Sequence, residues 1–186
     1  MLRNELESLP TETLIKLIQV YSRNWQTLDG LWFSNVEANC GLDTAVKIDL
    51  QNWEKQAIIE AKRLKKALDL KDSGIAAILT LLSFMSWQLT SPLFECEAET
   101  PSEAVIYYRR CAVQEGRGKT GKSLFPCKNM KLTLLSGIAG VVNPLVKTRC
   151  ISCPPDEPMA DYWCKWEFSL ETESEVAAAG FEPATT

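Results

Sequence analysis

The spacing of apolar residues changes once along this chain, from three-and-four to two, close to Pro92. A chain with that switch folds as helices first and strands after, since a pattern of helical period keeps no consistent face as a strand. Before the switch, Leu14, Leu17, Ile18, Tyr21, Trp25, Leu28 and Trp32 fall on one stripe of a long helix, the kind of face a helix turns to a core. Pro10 stands near its start, where a missing N–H costs nothing, and Glu12 suits the first turn. Gly41 is placed to stop this helix and Asp43 to cap the next. That second helix carries Val46, Leu50, Trp53, Ala57, Ala61, Leu64 and Leu68 on one face and lysines on the other. Residues 73–94 hold no charge, but their Ser, Thr and Gln content predicts a buried helix over about 74–89 rather than a membrane span.

After the switch, Phe94, Cys96 and Ala98 alternate with Glu95, Glu97 and Glu99, which predicts a strand with its acids outward and Cys96 inward. Residues 104–111 form the second strand, with Cys111 on the face of Val105 and Tyr107. A helix spans 128 to about 139, the third strand 145–152 and the fourth 162–170. On the fourth, Tyr162, Cys164, Trp166 and Phe168 share one face. The expected fold is α+β: an N-terminal helical region over 1–91, then a β-β-α-α-β-β region over 92–170 whose four strands form an antiparallel sheet, the two packed as one domain. Residues 171–186 are expected to be a flexible tail.

There is no histidine among the 186 residues, which excludes Ser-His-Asp and Cys-His machinery and histidine-ligated zinc. Seven cysteines remain, with no apolar run behind the N-terminus, and reduced thiols in the cytoplasm are the expectation. Cys150 and Cys153 form a CxxC pair at the end of the third strand, and Cys164 returns on the neighbouring one. Cys127 follows Pro126 and opens a helix beside Lys128, a position where dipole and charge both favour a thiolate. Cys127, Cys150, Cys153 and Cys164 are therefore the candidate ligands of zinc or iron, including an iron–sulfur cluster. Cys40 and Cys96 are expected to be plain small hydrophobes. The same atoms support a second chemistry, in which Cys127 attacks an electrophilic carbon and a carboxylate carries the proton. Glu37, at the edge of the Trp32 stripe, is the first candidate for that carboxylate, ahead of Asp29 and Asp156. A small-ligand-binding or structural domain with free cysteines is the third possibility.

Arg109, Arg110, Arg117, Lys119, Lys122, Lys128 and Lys131 face only Glu115 within their stretch, so an anionic small molecule is the expected partner. The run from Gly116 to Ser123 matches the form GxxxxGK[ST] but follows no buried parallel strand, and is a flexible basic loop rather than a phosphate cradle. Nucleic acid is disfavoured by the net charge of −4 and the lack of interleaved aromatics.

Several local runs carry a resemblance: Asp29-Gly30-Leu31-Trp32-Phe33, Val36-Glu37, Gly41, Asp49 and Trp53 in the first half, then Arg110-Cys111, Gln114, Phe125-Pro126-Cys127-Lys128, the stretch 147–156 and Tyr162-Trp163-Cys164-Lys165-Trp166. Over most of residues 10–170 the chain resembles a family of uncharacterised prokaryotic cytosolic proteins, a domain of unknown function. More remotely it is similar to the L-2-amino-thiazoline-4-carboxylic acid hydrolase family. The resemblance implies a cytosolic protein and singles out Glu37, Cys111, Cys127, Cys150, Cys153 and Cys164.

Overall fold

The computed structural model describes residues 2–90, 94–157 and 159–170; the expectation of a flexible tail over 171–186 falls outside them. A short helix α1 (Leu2–Glu7) leads into α2 (Thr11–Cys40) and α3 (Leu42–Ala67), which form a long hairpin. Gly41 alone separates them. Its φ of +83° is open to glycine and strained for other residues, and its N–H closes the last turn of α2 on the Glu37 carbonyl. Asp43 lies in the first turn of α3 and does not cap it; Gly41 holds that position too.

α4 (Ile75–Ser83) is shorter than the uncharged stretch suggested, because the chain leaves the helix in turns from Phe84 onward. Its Ile75, Ile78, Leu81 and Leu82 are buried, and among the described residues no helix is long and apolar enough to cross a membrane. The second half runs β1 (Glu95–Glu99), β2 (Glu103–Tyr108), α5 (Ala112–Lys119), α6 (Lys128–Val142), β3 (Val146–Ser152) and β4 (Cys164–Leu170). All neighbours are antiparallel, in the order β1-β2-β4-β3, so the fold is α+β with helices preceding the sheet.

Strand alternation fixes the sheet's inner face. Ala104, Ile106 and Tyr108 on β2 and Cys164, Trp166 and Phe168 on β4 are buried, and they meet α4 and α6. Burying an aromatic such as Phe168 contributes about 2–3 kcal/mol relative to exposure. α3 packs across the other side of α6, close enough that a Cβ on Gly137 would stand 3.1 Å from Ile58 Cγ1. α2 is the outermost layer and packs mainly on α3.

Four expectations fail here. The α2 stripe does not face the core: of its large residues Trp25 turns inward against Trp53, while Ile18, Tyr21, Leu28 and Trp32 stand in solvent. β1 is an edge strand exposed on both faces, so Cys96 is exposed despite its parity with Phe94. Cys111 is not on β2 at all but at the N-terminus of α5. α5 also takes in Gly116 to Lys119, so half of the GxxxxGK match is helix rather than loop.

Candidate functional site

A cleft of about 550 Å³ opens between the α2–α3 hairpin and the face made by α5, α6 and the end of β2. Trp25, Trp53, Trp87, Phe33, Tyr108 and Phe125 give it aromatic walls. Trp25, Trp53 and Trp87 stack edge to face in series at 5.4 and 5.1 Å, and Phe33 meets Phe125 the same way at 5.1 Å. Polar bonds hold α2 against the core here. Ser22 Oγ donates to the Ser86 carbonyl, and Gln26 Nε2 donates to Trp87 O at 3.2 Å and Thr90 Oγ1 at 2.7 Å. Trp87, itself part of the wall, keeps a buried indole N–H with no acceptor among the described residues.

Ionisable groups line this cleft in three separate ways. Asp29 on α2 and Asp49 on α3 share one wall. Burial pushes both carboxyls up, and Asp49 rises to about 7 because the Asp29 charge adds to the desolvation, with a hydrogen bond from Trp53 opposing it. On the opposite wall, Lys131 of α6 lies between two rings, its Nζ 4.7 Å from the Tyr108 centroid and 5.5 Å from that of Trp87. It has no carboxylate partner among the described residues. Burial opposes its charge, but the Tyr108 hydroxyl and the thiols of Cys164, Cys111 and Cys127 more than offset that, so it stays an ammonium.

At the rim, Glu37 takes both guanidinium arms of Arg117, at 2.9 and 3.1 Å, and the Lys122 ammonium at 2.7 Å. These partners hold its carboxyl at about 2. A carboxylate so held is ionised at neutral pH, and through Arg117 it ties α2 to α5. Arg117, buried, also donates from Nε to the Ser123 carbonyl at 2.6 Å, which makes the supposed basic loop a pinned one.

The thiols gather behind Lys131. Cys127 sits at the N-terminus of α6, and its Sγ stands 3.5 Å from that of Cys153, which in turn bonds Cys164. Gln114, fully buried, holds the approach to α6 by bonding the Phe125 backbone at both ends, and its Nε2 reaches Cys127 Sγ at 3.5 Å. Cys153 keeps its proton, pushed up by those two neighbouring sulfurs. Its one S–H can go to either neighbour, and that bond lowers the Cys127 thiol and brings Cys164 to about 7, with Lys131 helping both against the cost of burial. The cation that matters to Cys127 is thus Lys131, one turn along the helix. Lys128 is spent on Asp156 at 2.9 Å, and Asp156 also accepts the Cys153 N–H, fixing the loop after β3 to α6.

Cys150 stands on β3 opposite Trp166, partly buried, with its thiol pushed up to about 11 by burial. Cys111 lines the cleft and burial pushes it likewise to about 11. Cys40 is exposed at the end of α2. Of the four expected metal ligands, then, Cys127, Cys153 and Cys164 are brought together, with Cys150 beside them. Among the described residues no group of three or more His, Cys, Asp and Glu side chains is placed to hold a metal ion. A wider groove of about 740 Å³ between α3 and α6 is lined by Lys62, Lys65, Lys66 and Lys71 and contains no thiol.

Sequence reasoning passed over Lys131, Asp49, Trp87 and Tyr108 as site residues. One signal was available: Cys127 and Lys131 are four apart at a helix start, which puts them on one face.

No curated protein matches the chain, and no solved structure does. One family model matches residues 7–170, the whole span from α2 through β4, and the chain therefore belongs to that family, described as a family of unknown function (DUF6125).

Proposed function

We propose that the cleft binds a small molecule carrying an anionic group and a basic nitrogen, and that the thiols behind Lys131 make the protein a cysteine-dependent hydrolase of a small cyclic amidine or amide. The observation that carries this reading is the opposition across one cleft of an ammonium without a carboxylate partner and a carboxyl that titrates near 7. Lys131 would take the anionic group and the Asp29–Asp49 pair the nitrogen. The Cys127 thiolate forms a C–S bond at the amidine or amide carbon while the C–N bond breaks, and Asp49, protonated near neutrality, gives its proton to the departing nitrogen. Water then cleaves the C–S bond, returning one proton to Asp49 and leaving the thiolate.

L-2-Amino-thiazoline-4-carboxylic acid has both recognition groups and is the first compound to try. The expected result is ring opening at the C–N bond, read as release of a new primary amine, that is lost in Cys127→Ala and in Lys131→Met. Failure of this compound and of simple cyclic amidine acids to bind or turn over would contradict the reading.

A second reading has a specific observation in its favour. Two thiolates on one tetrahedral zinc stand about 3.7 Å apart at ordinary zinc–sulfur lengths, close to the 3.5 Å between Cys127 and Cys153. In that case Cys127, Cys150, Cys153 and Cys164 would close around zinc or iron. Element analysis of protein purified without oxygen separates the two: stoichiometric metal favours the second reading, and its absence leaves the first.

A further inference from the structure

The outward face of α2 is an unusual surface for a protein with a net charge of −4. Leu14, Leu17, Tyr21, Asn24, Leu28, Leu31 and Asn35 recur at spacings of three and four along six turns, with Trp32 beside them; Leu14 and Leu17 are half-buried and the others exposed. No charged side chain interrupts that seam. Glu12, Lys16 and Arg23 lie on a different arc, and Asp29 and Glu37 are turned into the cleft. Tyr21 is 69 % exposed, Leu28 58 % and Trp32 66 %, with Ile18 and Leu31 comparably open. Scattered exposed apolar residues need no explanation, but a continuous seam of this length does.

We infer that α2 is a dimerisation helix, and that the seam packs against the same seam of a second copy of this chain in a two-fold, coiled-coil-like contact. Three features select that occupant. The repeat is the heptad by which helices pair, with Leu at four of its positions and Asn24 amid the apolar stretch, the device that fixes register at some cost in stability. At a two-fold contact Asn24 meets its own mate, so amide donors and acceptors match. Together Ile18, Tyr21, Leu28, Leu31 and Trp32 expose about 600 Å² per copy, most of the ~800 Å² per partner of a stable interface, before the smaller residues between them are counted. A membrane surface fits less well. Helices that lie on lipid carry Lys and Arg along their polar face, whereas α2 has Lys16 and Arg23 against Glu12, Asp29 and Glu37.

The contact would also matter to the cleft. α2 supplies Asp29, Phe33 and Glu37 to it while packing on the rest of its own chain mainly through α3. A partner seated on the other side holds that wall in place.

Sedimentation equilibrium of the full chain tests this. At micromolar concentration the expected mass is twice the 20.8 kDa of one chain, and Tyr21→Glu combined with Leu28→Glu reduces it to the single-chain value with helix content by circular dichroism unchanged. If those charges unfold the chain, the milder Leu28→Ala is used, and it should weaken dimerisation at least tenfold. A wild-type chain that stays monomeric at 100 times that concentration overturns the inference. So does a dimer that survives both variants, or a monomer that floats with anionic phospholipid vesicles.

Discussion

On the α2–α3 wall of the cleft, Asp29 and Asp49 have no paired cation among the described residues, and burial with the Asp29 charge brings Asp49 to about 7. Across the gap Lys131 has no carboxylate partner among the described residues, yet it keeps its proton, because burial is outweighed by the charge interactions with Tyr108, Cys164, Cys111 and Cys127. At the rim Glu37, the same kind of group as Asp49, is driven the other way by Arg117 and Lys122. The comparison teaches that surroundings rather than residue type assign the roles: one carboxyl becomes a proton store, another a permanent anion, and a lone ammonium makes a thiolate affordable.

The largest effect expected from disturbing this arrangement is structural. Glu37→Gln leaves buried Arg117 without its counter-charge and should cost about 3 kcal/mol, read as a fall of roughly 8 °C in Tm. The pH sign follows from the carboxyl being held at about 2, below its ordinary 4.5. Its stabilisation is whole above pH 4.5 and is lost as pH falls from there toward 2. Guanidinium unfolding of wild type and variant at pH 7 and pH 3 checks this, and the gap between them should shrink at the lower pH.

A smaller effect belongs to the thiol wall. Cys153→Ala removes the S–H that favours a thiolate at either neighbour. The thiolate that wild type forms near pH 7 should then appear at least one pH unit higher, about 1.4 kcal/mol or more, in an ultraviolet absorbance titration.

The smallest concerns Asp49. Its carboxyl is raised in the folded chain, so stability declines as pH rises from about 4 to about 7 and is level above. Asp49→Asn mimics the protonated form and should be more stable than wild type at pH 8 and equal to it at pH 4. Denaturant midpoints at the two pH values decide it. An Asp49→Asn chain that is less stable at pH 8 would remove the proton store from the account.

What could be read from the sequence was what depends on near neighbours. The period-two run Cys164, Trp166, Phe168 specifies its own buried face, and Gly41 ends one helix and starts the next through backbone freedom alone. Cys127 was legible as a helix start because Pro126 and the apolar run after it are local. What could not be read depends on which elements end up adjacent. Cys96 has core parity, but β1 is an edge strand, and edge position is set by strand order. Asp29 and Asp49 meet only because the hairpin folds back. Lys128 and Lys131 look equivalent in the chain, and only the loop carrying Asp156 decides which of them is left to the thiols. The α2 stripe shows the same limit: periodicity says that one face is apolar, not what covers it.

The central claim, a thiolate held near neutral pH by the Cys153 hydrogen bond and the Lys131 charge beside the cleft, is tested most directly by titrating thiolate absorbance in wild type and Lys131→Met. The account predicts one thiolate per chain forming near pH 7 in wild type, shifted upward in the variant together with the other thiols that Lys131 faces, Cys127 and Cys111. A single ionisation of all thiols above pH 8, identical in the two proteins, would contradict it.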